Sequence, residues 1–341
     1  MTDGQSRAQL RRIAARALAE YAVTSTRLTF VGESFNTVFR VTADTESVFA
    51  LRIGPPMRIH AEGTEAAEQA WQERLRRHGL TTPRILTTND GAPSTTVDGR
   101  RCVLMGWIHG RKLRRPMSTA AAHELGRLSA RLHSDAAGWA VGDDLDVLRG
   151  DRVLYWRLPP HVITATEPSY GSLFAEALTR AQSDLDRMWR DPPHRPHVVH
   201  GDLTPENVID VPGQGLVPID FQDMIVGFDI QDIAITIAAL RRRPDARRVI
   251  EAFRVGYGEI RVWPETTRPE FESLIVARLL NQMNLTLPRV PPGELDDYLS
   301  PRAAAVREWL NSRLPGGFGG GVAVQERVDV SRVDAGERPG R

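Results

Sequence analysis

The run His200-Gly201-Asp202-Leu203-Thr204-Pro205-Glu206-Asn207, followed by Ile219-Asp220-Phe221, holds the residue types that phosphoryl transfer to a hydroxyl needs. Asp202 supplies a carboxylate to orient the acceptor and receive its proton. Asn207 and Asp220 supply an amide and a carboxylate for Mg²⁺. Between them, Val208-Ile209 and Leu216-Val217-Pro218-Ile219 flank the turn-rich stretch 210–215, the composition of a β-hairpin. Asn207 precedes the first strand and Asp220 ends the second, so antiparallel pairing brings both to the hairpin's open end. Two hard oxygen ligands then meet one cation, as Mg²⁺ sites completed by substrate phosphates require. Val198-Val199 predicts a short buried strand or turn that delivers Asp202 onto its loop.

This segment resembles the catalytic core of the aminoglycoside phosphotransferase and choline kinase-like family, small-molecule relatives of protein kinases. The resemblance implies Asp202 as catalytic base, Asn207 and Asp220 as Mg²⁺ ligands, and His200 as a brace inside the catalytic loop. It implies an α+β, two-lobed protein-kinase-like fold: an antiparallel sheet with a helix in the N-lobe and a mainly helical C-lobe. On that basis the N-lobe covers 1–106 and the C-lobe 107–314. The run Leu-Gly-Arg-Leu-x-Ala-Arg-Leu-His ending at His133 also resembles the family, with core leucines. Asp223 reads as an outer acid of the metal site or as a solvated loop carboxylate. Asp232, near the start of the amphipathic helix expected over 229–240, reads as a buried acid bracing the loop.

Upstream, the strand Val48-Phe49-Ala50-Leu51-Arg52-Ile53 puts Val48, Ala50 and Arg52 on one face. A kinase places a Lys here to hold the α- and β-phosphates, yet Lys112 is the only lysine in the chain and lies beyond the expected hinge. Arg52 therefore stands where that Lys is expected, and arginine grips phosphate bidentately. A helix capped by Thr64 and running to Arg77 carries Glu68, which the family pattern pairs with the strand's basic residue; Glu65 is the competitor. The strands around 28–31 and 37–41 are joined by Gly32-Glu33-Ser34-Phe35-Asn36, with one glycine and not Gly-x-Gly-x-x-Gly. The resemblance places Ser34 and Asn36 near the phosphates. It also places the backbone of Met105, Trp107 and Ile108, in the last N-lobe strand and hinge, against the adenine.

Composition fits this reading. The chain has 341 residues, 41% of them hydrophobic, enough for two lobes. Forty-four basic and 43 acidic residues leave a formal net charge of +1, with no global pull toward nucleic acid or membrane. Arg241-Arg242-Arg243 reads as a helix C-terminus rather than a nucleic-acid patch. One cysteine, Cys102, excludes an intramolecular disulfide and any multi-cysteine zinc site. No signal-like or membrane-length apolar run occurs, so a cytoplasmic protein is expected. The glycine-rich stretch after Pro315 lacks the strand and helix of a phosphate loop, and 315–341 is expected to be disordered.

The expected activity is transfer of the γ-phosphoryl of ATP or GTP, with Mg²⁺, to a hydroxyl of an antibiotic or similar polyhydroxylated metabolite. The balanced charge favours a neutral or weakly charged acceptor over a polycationic one, with Trp139, Tyr155, Trp156 and Tyr170 as candidate pocket walls. Alternatives are a choline, homoserine or sugar kinase, and a catalytically silent nucleotide- or antibiotic-binding protein.

Overall fold

The computed structural model describes residues 3–113, 117–139, 146–166, 170–192 and 194–313. The disorder expected for 315–341 lies outside them. The chain begins with α1 (Asp3–Leu18), then β1 (Ser25–Glu33), β2 (Thr37–Ala43) and β3 (Val48–Ile53), α2 (Thr64–Arg77), β4 (Thr95–Val97) and β5 (Arg100–Gly106). The five strands form an antiparallel sheet in the order β1-β2-β3-β5-β4.

Strand alternation decides what each face of this sheet does. Leu51 and Ile53 of β3, with Phe39, Val41, Cys102 and Leu104, bury against Leu10, Ile13, Ala14 and Ala17 of α1. The other face carries Arg52, whose cross-strand partner is Val103, and Ala50, opposite Met105. Cys102 is fully buried, as a small strand residue would be. The segment after α2 rejoins the sheet beside β5: Ile85 bridges Met105, the Leu86 N–H donates to Leu104 O and the Gly106 N–H donates to Arg84 O.

Beyond β5 follow β6 (Arg111–Lys112), α3 (Thr119–Ala137), α4 (His161–Thr164), α5 (Gly171–Arg190), β7 (His197–Val199), β8 (Val208–Val211), β9 (Gly215–Pro218), β10 (Ile225–Gly227), α6 (Asp229–Leu240), α7 (Ala246–Gly258), α8 (Arg268–Thr286) and α9 (Leu295–Ser312). Ser118 caps α3 by accepting from the Ala121 N–H. Thr64 does not cap α2; it is the first helical residue, and Gly63 takes the cap position without a side-chain bond. One helical core joins α3, α6 and α7 to Ala67, Trp71 and Leu75 of α2, and a second joins α5, α8 and α9. Helix α2 is thus shared: Glu68 faces the sheet's Arg52 while Trp71 packs edge-on against Phe221, ring centroids 5.2 Å apart. Arg241 pairs with Glu272, and buried Arg243 donates to Met117 O and Asp245, so both outer members of the arginine triplet serve the fold. No helix among the described residues is long and apolar enough to cross a membrane.

Candidate active site

The loop that carries Asp202 is held from below before it presents anything above. Gly201 has φ +74°, and a Cβ there would sit 2.0 Å from Asp223 O, so only glycine lets the loop pass. Its N–H donates to Asp232 Oδ1 at 2.8 Å, and Thr236 Oγ1 donates to Leu203 O at 2.7 Å. Asp232 takes its second bond from His133 Nε2 at 3.0 Å. His200 is buried with its pKa lowered by desolvation; Nε2–H donates to Ile219 O and Nδ1 accepts from the Asp202 N–H. A neutral imidazole thus ties the loop to the strand end carrying Asp220.

The hairpin forms as its composition predicts: Val208 pairs with Pro218, and the Ile219 N–H donates to Asn207 O at 2.9 Å. Asn207 Nδ2 donates to Asp202 Oδ2 at 2.7 Å and to Asp202 O at 3.0 Å. That orientation commits the amide nitrogen to Asp202 and leaves Asn207 Oδ1 as the atom available to a cation. Asp220 has a left-handed backbone, φ 62° and ψ 60°, which costs about 1–3 kcal/mol for a non-glycine residue and recurs where a site demands it. Its Oδ1 accepts from Arg52 Nη1 at 3.1 Å.

Arg52 also donates to Glu68 through both terminal nitrogens, at 3.0 and 2.6 Å. The bond is bidentate, and Arg52 is 7% and Glu68 0% exposed. Glu65 pairs instead with Arg58 and Arg101. Asn36 is buried beside Arg52 in a cavity of about 110 Å³ that Gln222 also lines; Ser34 stands exposed at the tip of the β1–β2 turn. At the hinge, the Trp107 N–H is committed to Val48 O and Met105 is paired to Ala50 on one edge and bridged to Ile85 on the other. Of the three hinge residues named from sequence, Ile108 alone keeps an uncommitted N–H among the described residues.

Two contacts were not anticipated. Arg278 of α8 donates from Nη2 to Asp202 Oδ1 at 2.5 Å and from Nη1 to the Tyr155 hydroxyl at 2.9 Å. Its sequence signal is a lone charge inside the apolar run 274–280, since an unpaired arginine is rarely buried. His60, in the β3–α2 connection, donates from Nε2 to Asp223 Oδ1 at 2.7 Å. Asp223 is therefore neither solvated nor idle: burial pushes its pKa up, but His60, with Arg278 and His200, holds it below the usual range. Of the aromatic candidates, Tyr155 and Trp156 adjoin Arg278, whereas Trp139 and Tyr170 pack onto the helical cores.

Burial pushes the Asp202 pKa up to about 7, against the pull of Arg278 and helped by the charges of Asp223 and Asp220. Asp220 is raised too, by burial first and by Asp223 and Glu68 against Arg52. Four carboxylates (Asp202, Asp220, Asp223, Glu68) thus face two guanidiniums (Arg52, Arg278). A divalent cation bound by Asn207 Oδ1 and Asp220 fits both that charge deficit and the hard-oxygen donor set.

A profile of the phosphotransferase enzyme family matches residues 28–271. The chain belongs to that family. In sequence it is 27% identical to a homoserine kinase of Phenylobacterium zucineum over 57% of this chain and 59% of that protein. It is 28% identical to a homoserine kinase of Rhodopseudomonas palustris over 50% and 51%. The chain thus spans between half and three fifths of the length of these two relatives. In structure it superposes on an amicoumacin kinase solved with AMP-PNP, Ca²⁺ and its ligand, with TM-score 0.71, 16% identity, and coverage of 92% of this chain and 97% of that one. A microcompartment-associated aminopropanol kinase gives TM-score 0.70 at 22% identity, covering 89% and 98%. The fold is the protein-kinase-like fold of small-molecule kinases.

Proposed function

We propose that the chain transfers the γ-phosphoryl group of ATP, or of GTP, to a hydroxyl of a small acceptor. The observation that supports this most is the convergence of Asp202, Asn207 and Asp220 on the buried Arg52–Glu68 pair. Asp202 orients the acceptor hydroxyl and takes its proton as the oxygen bonds to the γ-phosphorus; the bond to the β–γ bridging oxygen breaks, and the nucleoside diphosphate leaves with that electron pair. Asn207 Oδ1 and the Asp220 carboxylate would hold Mg²⁺. The cation supplies charge neutralisation across the phosphates. Arg52, fixed by Glu68, faces the phosphates in the position of the kinase lysine, and its charge persists at any relevant pH. Asn36 lies beside it, while Ser34 contacts the phosphates from the turn tip. Ile108 offers its N–H to the base, and Met105, beside Ala50, contributes its side chain to the cleft face; Trp107 has no amide to give. Residues 1–106 form the nucleotide-covering part and 107–314 the part that holds the acceptor. A nucleoside triphosphate donor favours a cytoplasmic setting.

Similarity to homoserine kinases favours a small metabolic acceptor, and an antibiotic hydroxyl is the competing substrate class. The test is Mg²⁺-dependent release of nucleoside diphosphate across hydroxylated antibiotics, amino alcohols, hydroxy acids, choline and sugars, with Asp202→Asn as control. Acceptor-dependent turnover that disappears in Asp202→Asn is expected. Failure of the folded protein to bind Mg-nucleotide overturns the reading.

A further inference from the structure

The base proposed above is already engaged. Arg278 is 6% exposed, lies over the Trp156 ring at 5.2 Å from its centroid, and bridges the Tyr155 hydroxyl and Asp202 Oδ1. The Arg278 bond at 2.5 Å occupies one lone pair of Asp202 Oδ1 and lowers that oxygen's basicity toward an acceptor hydroxyl.

Around that guanidinium the hydrogen bonding is incomplete. Arg278 Nε, Trp156 Nε1 and both amide atoms of Asn281 are buried without a partner among the described residues. Asn281 lies three residues along α8 from Arg278 and so on the same side of the helix. Its neighbour one turn on, Asn284, is satisfied: Oδ1 accepts from the Val162 N–H and Nδ2 donates to Pro159 O. Along α8 the unpartnered atoms are those of Arg278 and Asn281, with the Trp156 ring against the Arg278 guanidinium. Each buried polar group left unmade costs about 1–3 kcal/mol, and such groups gather where a ligand completes them. Most of the orphans are N–H donors, and one belongs to a cation. That set complements an anionic group with two acceptor oxygens, the fork geometry in which arginine recognises a carboxylate.

We propose that the acceptor carries a carboxylate, and that Arg278 with Trp156 and Asn281 holds it, exchanging its bond to Asp202 for the substrate's carboxylate. The inference rests on the kinase reading and narrows it to hydroxy acids and hydroxy amino acids. Recognition and readiness are then one event. An acceptor without the carboxylate leaves Arg278 on Asp202, whereas one with it draws the guanidinium away and frees the base. Arg278 is a specificity and positioning residue here, and Tyr155, through Nη1, keeps the fork oriented during the exchange.

Matched ligands separate these effects. L-Homoserine and 3-aminopropan-1-ol differ only in the carboxylate, as do 4-hydroxybutanoate and propan-1-ol. Binding is measured calorimetrically on the full chain loaded with Mg²⁺ and a non-hydrolysable nucleotide, and turnover in parallel with ATP. Wild type should prefer the carboxylate member of at least one pair by about tenfold or more, the range of a charge-assisted bond. Arg278→Gln should abolish that preference, and Tyr155→Phe should weaken it while leaving the Asp202 partner in place. Arg278→Lys, which keeps the charge without the fork, should recover only part of it. Equal binding within every pair, a preference that survives Arg278→Gln, or no binding of any carboxylate ligand to the nucleotide-loaded protein overturns the proposal and leaves the kinase reading standing. Loss of nucleotide binding itself removes the kinase reading instead.

Discussion

Asp202 and Asp220 above the catalytic loop and Asp229 and Asp232 beneath it are the same residue type set in two different charge environments. Burial pushes all four pKa values up. Above the loop it prevails: Asp202 is pushed up to about 7 and Asp220 is raised, because each has one arginine and at least two acidic neighbours. Below, it is overcome. Asp229 is held well below the usual range by His133, His197 and Arg261, and Asp232 by His133 and the Gly201 N–H. The lower cluster is rich in positive partners and closed, 2% and 0% exposed at Asp229 and Asp232. The upper one is short of positive charge and open to the cleft, with the Asp220 side chain 34% exposed. One network is balanced by its own histidines and arginine; the other is left short of positive charge, as the proposed cation and phosphate site requires.

Substitutions should therefore separate along that line. Asp202→Asn should lower kcat by about 10²–10⁴-fold, the usual contribution of a positioned base, while the denaturation midpoint stays put or rises, since a repelled carboxylate is removed. A parallel loss of stability would place Asp202 with the lower network. Asp232→Ala should do the reverse: it orphans the Gly201 N–H and His133, and removing one partner from such a buried pair costs about 3–5 kcal/mol. Denaturant unfolding measures it.

Glu68→Gln lies between the two, because Arg52 keeps Asp220 but loses its bidentate partner. We expect kcat/KM to fall about 10–100-fold, as for a lost charge-assisted hydrogen bond, with the Mg²⁺ dependence altered because Arg52 shifts toward Asp220. An unchanged Mg²⁺ titration would uncouple the pair from the metal site.

The lower network also predicts an acid limb. Asp229 and Asp232 have depressed folded-state pKa values, so the stability they confer is complete above the unfolded carboxylate value of about 3.9 and is lost as pH falls through the lower folded values. Wild-type stability should decline between about pH 5 and pH 2, and Asp229→Asn should flatten that decline by removing one contributor. Ser34→Ala is the smallest case: an exposed turn hydroxyl should change stability by no more than about 0.5 kcal/mol, and a KM change for ATP is its only informative readout.

Legibility in the sequence followed the distance over which each constraint acts. The hairpin of β8 and β9, the span of α6 and the side of β3 on which Arg52 stands are written in local alternation and turn composition. The choice of Glu68 over Glu65 is semi-local, since a helix offers both and only the docking angle of α2 selects one. Thr64 was misplaced by one position because the chain enters α2 at Gly63, packed within 2.9 Å of Asp146 by an added Cβ. No local rule reports that contact. Hinge amides behaved likewise: three residues are equivalent as text, but pairing with Val48 and Ala50 spends two of them.

By itself the sequence determined the family, the hairpin that follows Asn207 and the face of β3 on which Arg52 stands, because these depend on residue type at short spacing. Tertiary structure alone decided that Arg278, 76 positions from Asp202, would reach it, that His60 would hold Asp223, and which acids would be rich in positive partners and which left short of charge. Electrostatic balance is a sum over everything within a few ångströms in space, and the chain's order does not encode that neighbourhood.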